Sequence, residues 1–190
     1  MTEQIADAHP QTREEWEMKF PCASLEDLRE RLRELEAERL AAANSEDNWI
    51  YDRDGKLKSA KELLRLRIDR KGAWLTFKGA PRFEGEVKVR VEYESEVEDS
   101  EQIHSILDGL GFEVVRRYQK KREEWRLGGV TVALDHTPIG DFVEFEGTGA
   151  EAVARRCGFE ESEAERRTYV ELYEAFRKEN PDAPPDMVFS

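Results

Sequence analysis

The stretch Glu14-Glu15-Trp16-Glu17-Met18-Lys19-Phe20 alternates between polar and apolar residues. Read as a strand, it places Glu15, Glu17 and Lys19 on one face and Trp16, Met18 and Phe20 on the other, because successive side chains of a strand point to opposite sides. One face is apolar and fit for a core. The other gathers two acids and a base into one space. An antiparallel sheet commonly turns such a face to water, so the fold depends on where the other strands point their charges.

The same alternation recurs along the chain. In 63–69, Arg65 and Arg67 share a face opposite Leu64, Leu66 and Ile68. After the turn Arg70-Lys71-Gly72, the segment 73–78 sets Thr76 and Lys78 against Leu75 and Phe77. A long strand over 84–96 carries Glu86, Lys88, Arg90, Glu92 and Glu94 on one face and Val87, Val89, Val91 and Tyr93 on the other. Strands over 113–127 and 130–135 meet at Gly128-Gly129, a hairpin signal because both residues tolerate positive φ. In the first, Lys120, Arg122 and Glu124 share a face. In the second, Thr131, Ala133 and Asp135 oppose Val132 and Leu134. A short strand over 142–146 sets Glu144 and Glu146 against Val143 and Phe145.

Helices are expected between these strands. Ser24 caps one that runs to about residue 41 or 42, with Leu25, Leu28, Leu32 and Leu35 as its buried stripe. Ser100 caps a second, with Ile103, Ile106, Leu107 and Leu110 as its stripe, ending at Gly111-Phe112. A third spans 150–156 and ends at Gly158-Phe159, an echo that hints at an internal duplication. The last covers 162–179 and buries Tyr169, Leu172, Tyr173 and Phe176. Residues 48–51 contain strand formers, and 56–62 read as loop or a short helical turn. Residues 1–13 form a loose arm and 180–190 an extended tail, around a domain over 14–179. The resulting class is α+β with an antiparallel sheet of about eight strands.

The chain has 190 residues, with 30 Lys and Arg against 43 Asp and Glu and a net charge of −13. Such a surface repels nucleic acid and anionic lipid, so neither is an expected partner. No apolar run is long enough for a membrane span, and the start of the chain lacks a signal-peptide pattern. The two cysteines, Cys22 and Cys157, have no metal or disulfide spacing and suit a reducing cytoplasm as small buried residues. His9, His104 and His136 are read as inert, and Trp49, Trp74 and Trp125 as packing residues. Arg166 and Arg167 are read as a solvated helix face.

Two arrangements satisfy the strand pattern. One is an open sheet with its charged face in water. The other is a closed barrel with its apolar faces outward under helices and its charges inside. The charged faces are rich in Lys and Arg despite the acidic chain, and nearly free of Ser, Asn and Gln, which favours the second. In a closed barrel of about eight strands there is room for one small ligand. Lys19, Arg65, Arg67, Lys78, Lys88, Arg90, Lys120 and Arg122 would there meet Glu15, Glu17, Glu92, Glu94, Asp135, Glu144 and Glu146. A polyphosphate with divalent cations supplies partners for both signs.

Glu15-Trp16-Glu17-Met18-Lys19 resembles the E-x-E-x-K signature of the CYTH superfamily, the triphosphate tunnel metalloenzymes. Leu64-Arg65-Leu66-Arg67 resembles its L-R-x-R strand, Leu75-Thr76-Phe77-Lys78-Gly79 its T-x-K-G strand, and Lys88 to Glu94 its R-x-E segment. Lys120-Lys121-Arg122 with Trp125, Val132 to Asp135, Gly140 to Glu146 and Thr168 to Leu172 match later motifs in order. Asn48-Trp49-Ile50-Tyr51-Asp52 departs from the usual D-x-Y-Y/F-D. The resemblance implies a tunnel in which Lys19, Arg65, Arg67, Lys78, Arg90, Lys120 and Arg122 clamp phosphate oxygens. Glu15, Glu17, Glu144 and Glu146 hold Mg²⁺ or Mn²⁺, assisted by Asp135 or Glu92. Glu15, Glu17, Lys19 and Glu92 are the expected catalytic set. The expected activity is triphosphate hydrolysis, on tripolyphosphate, thiamine triphosphate or ATP, by a monomer or homodimer. The alternatives are a class IV adenylyl cyclase, a non-catalytic nucleotide or polyphosphate binder, and a plain solvated sheet.

Overall fold

The computed structural model describes residues 13–190; the expected arm over 1–13, with His9, lies outside the described residues but for Arg13. Nine strands in the described residues form one antiparallel sheet: β1 (Arg13–Pro21), β2 (Glu38–Asp52), β3 (Leu63–Asp69), β4 (Gly72–Lys78), β5 (Arg82–Glu84), β6 (Val87–Val97), β7 (Glu113–Leu127), β8 (Val130–Thr137) and β9 (Gly140–Glu146). The sheet order is β1-β9-β8-β7-β2-β3-β4-β6-β5, and β1 also pairs with β6. Eight strands therefore close into a ring, and the short β5 extends β4's edge along β6. Closure removes sheet edges and creates an inside and an outside.

Five helices pack around it: α1 (Leu25–Glu34), α2 (Lys56–Ala60), α3 (Ser100–Gly109), α4 (Ala150–Arg156) and α5 (Tyr169–Glu179). The apolar strand faces turn outward to meet them. Met18, Phe20, Val132, Leu134, Val143 and Phe145 form a core under α1 and α4 with Leu28, Leu32 and Val153. Tyr51, Leu66 and Ala73 pack with Leu107 of α3. The third cluster differs in kind. Ile50, Tyr118 and Phe142 are in phase with the inward charges of their strands, and they pack against Tyr169, Leu172 and Tyr173. α5 thus closes one end of the barrel, and the tunnel is a cup.

Several boundaries differ from the expectation. α1 stops at Glu34, not at 41 or 42, because Glu36 adopts φ +56° and Ala37 N–H donates to Leu32 O, a Schellman ending. The residues beyond it begin β2. The N-cap of α3 is Asp99, whose carboxylate accepts from Glu101 and Gln102 N–H; Ile106 and Leu110 of the expected stripe are exposed. Residues 164–168 are not helical, since the last helix starts after Thr168, which forms a capping box with Glu171. Phe176 is exposed rather than buried. The expected long strand over 84–96 breaks at Gly85, and Glu86 pairs with Arg166 outside the barrel. Both Gly-Phe helix endings are Schellman turns, but one leads into β7 and the other into an irregular segment, so the likeness stops there. The tail over 180–190 is docked: Met187 is buried and exchanges backbone hydrogen bonds with Arg117 and Gln119 of β7.

Candidate functional site

Register brings the inward charges into rows. Glu17 of β1 faces Lys88 of β6 on one side and Glu146 of β9 on the other. Lys19 faces Glu144, Glu15 faces Arg90, and Lys78 faces Glu92. Arg65 lies opposite Thr76, and Arg122 opposite Asp135. The barrel encloses a cavity of about 320 Å³ lined by all eight of the expected basic residues and by Glu15, Glu17, Glu92, Glu94, Glu144 and Glu146. That volume is at the lower end of the range for small-molecule sites, roughly 300–1,000 Å³. Lys88 is buried in this lining with the rest.

Two bases organise the acids. Lys78 Nζ bridges Glu15 at 2.6 Å and Glu92 at 2.8 Å, and Arg90 Nε stands 3.6 Å from Glu15. Burial pushes Glu15 up, but Lys78, a hydrogen bond from Glu92 and Arg90 outweigh it and hold the Glu15 carboxyl well below the usual range. Glu92 goes the other way: burial raises it, Lys78 offsets part, and the Glu15 carboxylate beside it raises it further. The pair thus shares one proton preference between two environments. Arg122 donates to Asp135 at 2.7 and 2.8 Å, to Glu146 at 3.0 Å and also to Glu144. Despite burial, Arg122, Lys120 and Lys19 keep Glu144 well below its ordinary value. Glu146 is pushed up to about 8 by burial, which Arg122 only partly opposes, and by the carboxylates of Glu144, Glu15 and Glu17.

Asp135 has a different place from the one expected. It is fully buried and absent from the cavity lining. It accepts from Lys120 Nζ at 3.0 Å, from Arg122 and from Tyr169 Oη at 2.7 Å. Its oxygens are spent on aiming these donors. Burial opposes its ionisation, yet Arg122 and Lys120 hold its carboxyl below the ordinary value. Lys19 Nζ is 3.2 Å from Glu144, 4.2 Å from the Tyr169 ring centroid and donates to Arg167 O at 3.2 Å. Arg65 reaches Thr76 Oγ1 at 3.4 Å, and Thr76 donates to Glu94 at 2.7 Å.

Sequence reasoning missed Glu46, which is buried 3.7 Å from Lys120 and 3.9 Å from Arg67. It is in phase with Asn44 and Asn48, a signal missed because the strand was expected only from residue 48. The inward positions of Tyr118 and Tyr169 were missed as well; the period-two phase of β7, where Tyr118 precedes Lys120 and Arg122 by two and four, carries the first. His136 is exposed and bonds Asp141 at 2.6 Å. His104, read as inert, is half-buried, bonds the Tyr51 hydroxyl and packs edge-on to Trp49.

The donor set of Glu15, Glu17, Glu144 and Glu146 is all carboxylate oxygen, the kind hard divalent cations prefer, and Glu17 and Glu146 stand directly opposite each other. Such like-charged cross-strand pairs are destabilising unless something neutralises them. Among the described residues no three of these groups are gathered around a metal position as they stand, because each is turned to a lysine or arginine. The donor chemistry fits Mg²⁺ or Mn²⁺.

The CYTH domain model matches residues 13–176. A candidate adenylate cyclase of Methanocaldococcus jannaschii is 28% identical over 133 residues, covering 70% of this chain and 75% of that protein. The solved structure of a candidate adenylate cyclase from Vibrio parahaemolyticus superposes with a TM-score of 0.75 at 22% identity, covering 86% of this chain and 99% of that one. A Hippeastrum protein described as a candidate adenylyl cyclase with a dominant triphosphatase activity has a TM-score of 0.56 at 21% identity, over 88% of each chain. Among the described residues no helix is long and apolar enough to cross a membrane.

Proposed function

The chain belongs to the CYTH family, and on that premise we propose that it hydrolyses a triphosphate bound in its charged cavity, assisted by Mg²⁺ or Mn²⁺. One observation carries this reading: among the acids that line the cavity together with eight bases, Glu17 and Glu146 face each other across adjacent strands. A plain anion site has no use for that pair, whereas a metal–polyphosphate complex needs both signs.

Lys19, Arg65, Arg67, Lys78, Lys88, Arg90, Lys120 and Arg122 bind the phosphate oxygens, the arginines through forked donors. Glu15, Glu17, Glu144 and Glu146 hold the cation, which when bound neutralises phosphate charge and orients the attacking water. Asp135 is a positioning residue for Lys120 and Arg122 rather than a ligand. Ligand binding is an exchange of partners. Lys78 and Arg122 would turn from Glu15, Glu144 and Glu146 to phosphate, freeing those three carboxylates to hold the cation, so that no buried charge is stranded, while Asp135 keeps Arg122 in place. Water adds to the terminal phosphorus, the bridging P–O bond breaks, and the ionised Glu92 carboxylate, whose hold on a proton is strengthened by burial that Lys78 only partly offsets, accepts the proton. Orthophosphate leaves from the shortened polyphosphate.

Adenylyl cyclisation is the second reading, favoured by the description of the Methanocaldococcus relative. Incubation with tripolyphosphate, thiamine triphosphate and ATP in Mg²⁺ or Mn²⁺, with all products resolved, separates the two. Release of orthophosphate is expected; cyclic AMP with diphosphate as the main product overturns hydrolysis. Glu15→Gln and Glu146→Gln should each abolish turnover in a folded protein, and full activity in both removes the metal assignment.

A further inference from the structure

Of the four tryptophans, Trp16, Trp49 and Trp125 belong to the apolar clusters outside the barrel; Trp74 belongs to none of them. It is in phase with Thr76 and Lys78, so it faces inward, at the end of β4 that lies away from α5. The indole leans over Gly72, where a Cβ would meet Trp74 Cη2 at 3.4 Å. Arg67 lies opposite it on β3, with its guanidinium carbon 4.9 Å from the ring centroid. A second cavity of about 160 Å³ opens here, lined by Trp74 with Ala41, Asn44, Glu46, Asp69 and Lys71, and it shares Arg67, Arg122 and Glu124 with the phosphate cavity.

The two cavities differ in chemistry. The deep one is lined by charged side chains, with Leu63, Tyr118, Thr168, Tyr169 and Val170 at its α5 end. The outer one adds a flat aromatic surface and uncommitted polar groups. Asn44 Oδ1 accepts from Arg70, which leaves its amide N–H₂ to donate. Asp69 Oδ1 accepts from Lys71 N–H, which leaves Oδ2 to accept from an amine or hydroxyl. Because α5 packs across the far end, a group attached to the phosphate chain has room on the Trp74 side, where the two cavities share Arg67, Arg122 and Glu124.

Resting on the triphosphatase reading for the phosphates themselves, we propose that the outer cavity is a subsite for a planar heteroaromatic group, a nucleobase, stacked on Trp74, so that nucleoside triphosphates are preferred over inorganic tripolyphosphate. Phosphates held by Arg67 and Arg122 join the two cavities through residues they share. Stacking tolerates any base, while Asn44 and Asp69 offer the polar edge contacts that rank the bases.

The test compares ATP with tripolyphosphate in the same preparations. In Trp74→Ala the ratio of KM for ATP to KM for tripolyphosphate should rise roughly tenfold, the scale of a lost base–aromatic stack. Trp74→Phe should restore it to within a few-fold. Separately, a non-hydrolysable ATP analogue with Mg²⁺ should quench tryptophan fluorescence in the native protein and far less in Trp74→Phe, while tripolyphosphate should quench neither. An unchanged KM ratio in Trp74→Ala, or equal quenching in native and Trp74→Phe proteins, overturns the subsite. If the native protein turns over no triphosphate, the hydrolase reading fails, and the fluorescence comparison still decides the subsite.

Discussion

Asp135 and Glu146 show how one residue type serves two ends in the same barrel. Both are acids beside Arg122, yet Asp135 is fully buried with three donors around it, whereas Glu146 opens to the cavity with other carboxylates as neighbours. Removing charge at each should have opposite consequences. Asp135→Asn leaves Lys120 and Arg122 short of a counter-charge, and breaking a buried ion cluster costs about 3 kcal/mol or more. For a chain of this size that lowers Tm by roughly 6–12 °C. Glu146→Gln removes a repelled carboxylate and should leave the Tm of metal-free protein unchanged or raised, while turnover is lost. Thermal melts of both variants in chelator, set beside activity assays, check the contrast; a large Tm loss in Glu146→Gln would show that its charge is structural.

At the scale of elements, local signals governed most strands and failed where an unusual residue took a special conformation. The Gly128-Gly129 hairpin was legible because both residues have positive φ, +58° and +87°, as its turn type demands. The end of α1 was not, because its left-handed position carries Glu36 instead of glycine. An L-residue there costs roughly 1–2 kcal/mol, so Glu36→Gly should stabilise the protein by up to about 1 kcal/mol, measurable by urea unfolding; a loss of stability would mean that the exposed Glu36 side chain matters. Extending the helix across that signal hid the first residues of β2, and Glu46 fell in the unassigned stretch between the expected helix end and the strand formers at 48–51. The inward face of β2 reads Asn44, Glu46, Asn48, Ile50, and only the last two lay in the stretch taken as strand-forming. The cavity-lining residues on β1, β3, β4, β6, β7 and β9 were legible because period two leaves no choice of face once the core is placed outside. Asp135 has the expected phase but lies outside the cavity lining, since phase cannot tell a cavity-facing carboxylate from one already bonded to three donors. Asp52 illustrates a further element-level function: its carboxylate accepts from Arg53, Leu57 and Lys58 N–H and so holds the first turn of α2, which Gly55 cannot cap. Burial works against its ionisation, but those hydrogen bonds hold its carboxyl below the ordinary value. A depressed folded pKa means stability present above the unfolded value and lost as pH falls through the folded one. Asp52→Ala should therefore cost about 0.5–2 kcal/mol at pH 7, and the gap from the native protein should close below about pH 4. A gap that stays constant into strong acid would assign the loss to packing.

For the molecule as a whole, the apolar cores lie outside the barrel under α1, α3 and α4, and the interior is a lattice of ion pairs. Desolvating charges is costly, and buried pairs often contribute little net stability. The interior is thus the part of the fold with most to gain from a ligand, and its two signs make the gain conditional. A polyanion alone satisfies the bases but abandons the acids that Lys78 and Arg122 now hold; a cation alone does the reverse. Tripolyphosphate and Mg²⁺ together satisfy both. A ligand at a hundred times its dissociation constant stabilises by about 2.7 kcal/mol, which for 190 residues raises Tm by roughly 5–10 °C. Thermal melts in Glu92→Gln, chosen to slow turnover during the scan, should show that shift with both components and a much smaller one with either alone. An equal shift with tripolyphosphate in chelator would show that the acids do not take up a cation on binding, and would leave the barrel as an anion clamp whose carboxylates serve only to hold its lysines and arginines in place.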